Sequence, residues 1–509
     1  MVITFGTLTA FFGLIVMVLY ITQRRSTNAT FSGYAVGDRS FDSMYVAMSY
    51  VNSWWPGATF VAFFGMGAAL GVIGLYALVY TLIGVTAMYF LARRAWRWGS
   101  RFDLRTQPDM IGLRFGGRAP KILASLIGVV ALYPWVVLGF QAMGAVVSWA
   151  SLGRLSTGEA VVIGVVIIAV RQIWTVQMGM RGLIITDLFQ GFVAYLGAAA
   201  ICVGLLLFYF DGFGAIRELP SANLSLPGFD APVGGLYYMS IVAAGVIGSL
   251  CWPMIFVRIY TAKGVRAVKK GTLWTMVISI VFYGSLLLVA LAATKIPAVA
   301  AAPQDGWFLI TRSAGGTWLL AAGILVVFAA SMGFVDGMIQ AIGTQVANDI
   351  IGGTRPLSDK QQIVIAKLAM AAFAVGGAVV AYFTYNYAHL VNFAQIAYQA
   401  IIQLAVPLFL GMFWRRGNKF GATAGLVVGF GAAVVLTIPY ADQGGAVPWL
   451  AGLGSGLVAL ALNLIVYVAC AYLIPSSEEE QARVDALFEM TRAGTDVEVS
   501  APPLEPDPA

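Results

Sequence analysis

Ser49-Tyr50-Val51-Asn52-Ser53-Trp54-Trp55-Pro56-Gly57-Ala58 decides the fold. It sits within an apolar segment, residues 44–70, long enough to cross a hydrocarbon core of roughly 30 Å. Pro56 has no N–H and its ring clashes with the preceding turn, so the helix must break there. Inside a bilayer such a break is tolerated only where the freed backbone groups are enclosed by protein or line a cavity. A second break, Cys251-Trp252-Pro253, follows 197 positions later in the segment 233–258. Two discontinuous helices at corresponding places imply a solute site held between two structural repeats.

The rest of the chain agrees with a polytopic membrane protein. Of its 509 residues 60% are apolar and only 10% charged, with a mean hydropathy of +0.85, which excludes a soluble globular domain. Thirteen spans are expected, at 3–21, 44–70, 73–92, 122–150, 159–175, 183–210, 233–258, 272–297, 317–347, 363–384, 389–412, 420–439 and 447–474. The first has no basic start or small-residue cleavage site and reads as a retained helix. Alternate loops and the tail hold 26 of the 30 Lys and Arg, among them Arg24, Arg25, Arg39, Arg171, Arg181 and Arg258, while Arg154, Arg217, Lys295 and Arg312 fall on the other side. The positive-inside rule then puts the N-terminus outside and the C-terminus in the cytoplasm, in the plasma membrane. The pI near 9.2 reports this topology and contact with anionic lipid rather than nucleic acid. The tail, 475–509, carries nine acids and two bases; a short amphipathic helix from Ser476-Ser477-Glu478 and a disordered Pro-rich end are expected.

The side chains around the breaks are the candidate solute contacts. Trp54, Trp55 and Trp252 bring aromatic surface, with Tyr50 and Ser53 within about a turn. They suit stacking on a solute or gating over it, and equally plain packing within the bundle. Tyr133, Trp135 and Gln141 in the fourth span are further candidates, as are Asn392, Gln395, Tyr398, Gln399 and Gln403 in the eleventh. The polar ones in the eleventh recur at spacings of three and four, one helix face that serves either solute or neighbouring helices. Asp187 and Asp336 lie within spans, where a carboxylate is a functional hypothesis, its plain alternative being an ion pair with an Arg such as Arg181. Cys202, Cys251 and Cys470 read as small buried hydrophobes and His389 as an interfacial polar group.

Four stretches resemble the sodium/solute symporter family, which includes proline, pantothenate, sialic acid, monocarboxylate and sodium/glucose symporters. They are Phe31-Ser32-Gly33-Tyr34-Ala35-Val36-Gly37-Asp38-Arg39; Met178-Gly179-Met180-Arg181-Gly182 with Thr186-Asp187-Leu188-Phe189-Gln190-Gly191; Trp252-Pro253-Met254-Ile255-Phe256-Val257-Arg258; and Ala329 to Ile350. The resemblance implies an all-α leucine-transporter-like core of two inverted five-helix repeats, 44–210 and 233–412. Around it stand a first helix and loop (1–43), an extracellular connection (211–232), two peripheral helices (413–474) and the acidic tail. It also implies a solute bound between the breaks at Pro56-Gly57 and Trp252-Pro253, and Na⁺ on backbone carbonyls of Trp54, Gly57 and Ala330. Two hydroxyls complete that site in the family, and here their positions are Gly333 and Phe334, which bring none. A hard cation needs several oxygen ligands, so Ser331, Asp336 or water must replace them. Protonation of Asp187 or Asp336 is the alternative coupling device.

Three readings follow. The first is a secondary active symporter for a small organic solute such as a monocarboxylate, amino acid or pantothenate-like acid, driven by Na⁺ or H⁺. The second is an uncoupled facilitator or sensor on the same fold. The third, a membrane enzyme, finds no metal-ligand cluster, nucleophile elbow or phosphate loop to support it. No cofactor is expected beyond the coupling ion, and the expected partners are a small-molecule solute and membrane lipid, with no nucleic acid and no obligate protein.

Overall fold

The computed structural model describes residues 1–23, 30–226, 228, 234–385 and 390–492. Arg24, Arg25, His389, the side chain of Asn392 and the Pro-rich end of the tail lie outside them. The described chain is almost wholly helical, with one short antiparallel pairing of Ala446–Val447 and Leu453–Gly454. Large apolar side chains cover its outer surface, Phe208 at 90% exposed and Phe383 at 78% among them, as lipid contact requires.

Among the described residues twelve helices are long and apolar enough to cross a membrane, against thirteen expected. The difference is the first break. It isolates Ser43–Trp54, a half-helix of 12 residues too short to count alone, and the chain beyond it, Gly57–Arg101, is continuous enough to count once. That second stretch still turns at Gly71, whose φ of +66° and close approach to the backbone of Asn223 leave no room for a side chain.

The interior is built on the long helices Arg118–Ala150 and Gly306–Gln345, which pack on each other. The first half-helix lies between Val265–Ala293 and Met180–Gly191. Lys419–Thr437 and Ser455–Leu473 pack chiefly on each other as an outlying pair. The expected tail helix is present as Glu478–Arg492, and it is docked: Val484, Leu487 and Phe488 are buried, Arg415 pairs with Asp485 at 2.8 Å and Trp98 Nε1 donates to Thr491 Oγ1 at 3.0 Å.

Candidate functional site

The first half-helix ends where Trp55 N–H donates to Val51 O at 2.9 Å. Trp55 and Pro56 are then extended, with ψ of 101° and 163°, and the chain resumes as a 3-10 turn, Gly57–Phe60, before the helix Ala62–Leu70. The carbonyls of Asn52, Ser53 and Trp54 therefore lack the donors a continuous helix supplies, and they sit at the negative end of its dipole. Gly57 has to be glycine: a Cβ there would run into Ser331 Oγ and come within 2.9 Å of Val327 O. Ser331 Oγ is fully buried and has no hydrogen-bond partner among the described residues, nor has Ser53 Oγ.

The second break is tighter. Tyr237–Ser249 ends in a turn closed by Cys251 N–H on Gly248 O at 2.8 Å, Trp252 is extended, and Pro253 starts the next half-helix, Pro253–Thr261, where a missing N–H costs nothing. One carbonyl in each break is held by a side chain from elsewhere: Trp55 O accepts from Tyr195 OH at 2.6 Å, and Leu250 O from Gln107 Nε2 at 2.9 Å.

A run of aromatic rings joins the two. Trp54 lies 6.4 Å from Tyr80, Tyr80 6.3 Å from Tyr398, Tyr398 5.2 Å from Trp252 and Trp252 6.0 Å from Trp135. Phe334, at one family hydroxyl position, closes on Trp135 at 5.8 Å. Gly333, at the other, makes room for the Asn52 amide, which a Cβ would strike. Trp55 faces away, into Tyr195, Phe282 and Tyr283 at 5.2, 5.2 and 4.9 Å.

Beneath the rings lie four buried charges in two pairs, each bridging elements. Asp187 accepts from Ser49 Oγ at 2.6 Å and Asn52 Nδ2 at 2.7 Å, with Arg258 Nη2 at 3.7 Å. Asp336 is ion-paired to Arg171 and accepts from Gln172 Nε2 and, at 3.4 Å, Thr175 Oγ1. Gln190 stands between the sets, its side-chain amide 3.2 Å from Asn52 Nδ2 and accepting from Arg171. Both carboxylates thus meet donors and a guanidinium, and the four charges cancel. The expected partner Arg181 is not among them. It lies 3.8 Å from Asp38.

The structure therefore gathers Tyr50, Ser53, Trp54, Pro56, Gly57, Trp135, Asp187, Trp252, Pro253, Gly333, Phe334, Asp336 and Tyr398 in one buried centre. Ala330 is fully buried on the same long helix. Gln141 turns away, donating to Thr384 O and Oγ1 at 3.0 Å each, and Tyr133 packs on Phe373. Of the described polar side chains in the eleventh-span stripe, Gln395 alone reaches the rings, donating at 3.3 Å to the OH of Tyr76, whose ring lies 5.7 Å from Tyr80. Gln399 and Gln403 bond Gly456 N and O at 2.7 and 3.0 Å, which makes them ties to the outlying pair. The sequence reading missed Ser49, Asn52, Tyr80, Arg171, Gln172, Gln190 and Arg258 as site members. Arg171 and Arg258 were counted as loop charges, although each lies in an apolar run and is at most 1% exposed.

A separate cluster ties the short helix Gln107–Phe115 to the start of Arg118–Ala150 and to the turn Val346–Ile351 that ends the long helix Gly306–Gln345. Lys121 reaches Asp109 at 2.6 Å and Asp349 at 3.4 Å, Thr106 Oγ1 donates to Asp349 at 2.8 Å and Asn348 Nδ2 to Asp109 at 2.9 Å. Burial opposes the charge on Asp109, but Lys121 and these hydrogen bonds outweigh it and hold the carboxyl below its ordinary range.

The profile of the sodium:solute symporter family matches residues 34–429. The chain belongs to that family. Its relatives include the "Uncharacterized symporter YhjB" of Bacillus subtilis, 24% identical over 95% of this chain and 98% of the relative, and the sodium/pantothenate symporter of Escherichia coli, 24% identical over 83% and 88%. The monocarboxylate transport permease protein of Rhizobium johnstonii is 22% identical over 93% and 97%. The fold matches a Na⁺-coupled sialic acid symporter in its substrate-bound outward-open state, with a TM-score of 0.74 at 14% identity over 94% of this chain and 99% of the other. Closed Mhp1, a nucleobase-cation-symport-1 transporter, follows at 0.55 and 16% identity, over 90% and 99%. These folds share the leucine-transporter-like core, and this member of the sodium:solute symporters is a multi-pass membrane transporter, not an enzyme.

Proposed function

We propose that this symporter sits in the plasma membrane, N-terminus outside and C-terminus cytoplasmic, and imports a small organic acid by alternating access between repeats 44–210 and 233–412. The solute is a monocarboxylate, an amino acid or a pantothenate-like acid, the classes that its relatives' names span, and it enters coupled to Na⁺. One observation carries the coupling: the first half-helix ends in free carbonyls, and at Gly57, three residues past its last turn, the backbone lies against the unpartnered, fully buried hydroxyl of Ser331. Oxygen donors alone, at a helix C-terminus, suit a hard cation. Ser331 then replaces the hydroxyls that Gly333 and Phe334 lack, with Trp54, Gly57 and Ala330 contributing backbone oxygens as in the family. Proton coupling through Asp336 or Asp187 is the weaker reading, because each carboxylate already has a guanidinium and two further donors.

Uptake of radiolabelled pyruvate, proline and pantothenate into proteoliposomes under separate Na⁺ and H⁺ gradients tests this. Accumulation that follows Na⁺, weakens in Ser331→Ala and survives Asp336→Asn is expected. Accumulation that follows H⁺ and disappears in Asp336→Asn would transfer coupling to that carboxylate, and equilibration without accumulation would make the protein a facilitator.

A further inference from the structure

Arg258 has bonding capacity that its neighbours do not use. It is fully buried on the half-helix that Pro253 starts. Its Nε donates to Ser49 Oγ at 2.7 Å and its Nη1 meets Met180 Sδ at 3.0 Å. Nη2 stands 3.7 Å from Asp187, beyond hydrogen-bond reach, and makes no hydrogen bond among the described residues. Two more buried donors without partners face the same region from the first half-helix, Tyr50 OH and Ser53 Oγ. Orphaned donors at full burial cost about 1–3 kcal/mol each, so three from two facing half-helices indicate a missing acceptor.

The place for that acceptor is Gly337. A Cβ built there would lie 3.2 Å from Arg258 Nη2 and 3.6 Å from Ser53 Oγ, with only those two atoms within 4 Å. The glycine is thus the floor of a notch whose walls are a guanidinium edge and a hydroxyl. Asp187 keeps Arg258 as its counter-charge at 3.7 Å but takes no hydrogen bond from that edge, because Ser49 and Asn52 already donate to its two oxygens. Both Nη groups of Arg171 are taken by Asp336, Thr186 and Gln190, with its Nε left unpartnered, so Arg258 is the one of the two guanidiniums with an Nη edge to offer.

We propose that Arg258 Nη2, Ser53 Oγ and Tyr50 OH form the carboxylate subsite of the solute site, seated on Gly337, so that the transported solute is an organic anion or zwitterion held by its carboxylate. The inference rests on the symporter reading above and assigns the residues that select for an acid. A guanidinium and two hydroxyls recognise a carboxylate through charge-assisted hydrogen bonds, and the neutral amide or alcohol of the same shape loses most of that energy.

The test uses the full chain in detergent and follows its tryptophan fluorescence, since Trp54 and Trp252 flank the two half-helices. Propionate, pyruvate and pantothenate are titrated against the neutral propionamide, pyruvamide and panthenol, and proline against prolinamide, which lacks only the carboxylate charge, at constant ionic strength. At least one acid is expected to change the emission saturably, with its carboxylate-free analogue at least about tenfold weaker. Gly337→Ala, which fills the notch and leaves every charge in place, and Arg258→Lys, which keeps the charge but loses the fork, each weaken the acid about tenfold. A wild-type protein that answers none of the four acids, or answers acid and carboxylate-free analogue alike, overturns the proposal, and so does a Gly337→Ala protein that elutes as a monodisperse peak and binds the acid unchanged. Acid binding without gradient-driven accumulation would keep the subsite and sink the symporter reading; accumulation of neutral solutes alone would do the reverse.

Discussion

The two broken helices answer the same topological need with different chemistry. At Pro56 the helix comes apart over residues 55–61 and leaves carbonyls at its end, whereas at Trp252 three residues suffice and the following helix begins on a proline that fits there. On the reading proposed above, the first break offers oxygen to a cation and the second aims Trp252 and Arg258 into the centre. That proposal divides ion binding and solute binding between the two breaks. The ion pair of Arg258, after the second break, with Asp187, tethered to Ser49 and Asn52 before the first, ties the two together.

That tie carries the largest effect expected. Arg258→Gln leaves Asp187 buried without its counter-charge, and breaking a buried pair from one side costs about 3–5 kcal/mol. Thermal unfolding in detergent should show a steep loss for Arg258→Gln that Asp187→Asn in the same chain largely restores. A double variant no more stable than Arg258→Gln would mean that the charges do not compensate each other.

The proline exchange separates the breaks directly. Pro56→Ala supplies an N–H to the waiting Asn52 carbonyl and favours a continuous helix, so Na⁺-driven uptake should fall about tenfold or more. Pro253→Ala adds an N–H at a first-turn position that has no helical partner, and uptake should stay within about threefold. Equal losses would show that both breaks do the same work.

How much of this was legible in the sequence follows from the same contrast. Pro56 and Pro253 announce their breaks because a proline inside an apolar run has few other readings, and the helical fold follows from composition. The centre was legible where a residue type is conspicuous, as with Trp54, Trp252, Asp187 and Asp336. It was not legible for Arg171 and Arg258, because a basic residue near the end of an apolar run is counted with the loop unless its acidic partner on a distant helix, Asp336 for Arg171 and Asp187 for Arg258, is already known. Nor could periodicity tell that Gln399 and Gln403 face the outlying helices rather than solute, since a polar stripe marks an interior face without saying which neighbour covers it.

A smaller effect is expected at Ser331. If the first break holds the cation, Ser331→Ala removes one oxygen from a set of several and the Na⁺ concentration for half-maximal uptake should rise about fivefold, with the maximal rate little changed. The solute affinity measured at saturating Na⁺ should hardly move, while Gly337→Ala should do the opposite. Crossed results would reverse the division of labour between the breaks.

The smallest effects concern the side chains that hold one carbonyl in each break. Tyr195→Phe removes the donor to Trp55 O and Gln107→Leu the donor to Leu250 O, and each should cost about 1 kcal/mol of stability, the usual net worth of a hydrogen bond, or somewhat more if no water enters. Their consequences for transport should differ. Tyr195 lies within the bundle beside Trp55 and Phe282, so its loss loosens the first break locally and should shift Na⁺ dependence by no more than about twofold. Gln107 belongs to the helix that Thr106, Asp109, Lys121 and Asn348 bind to the end of the long helix, so its loss uncouples the second break from that cluster. Gln107→Leu should therefore slow turnover at unchanged Na⁺ and solute affinities. A change in Na⁺ affinity from Gln107→Leu would show that the second break also shapes the ion site.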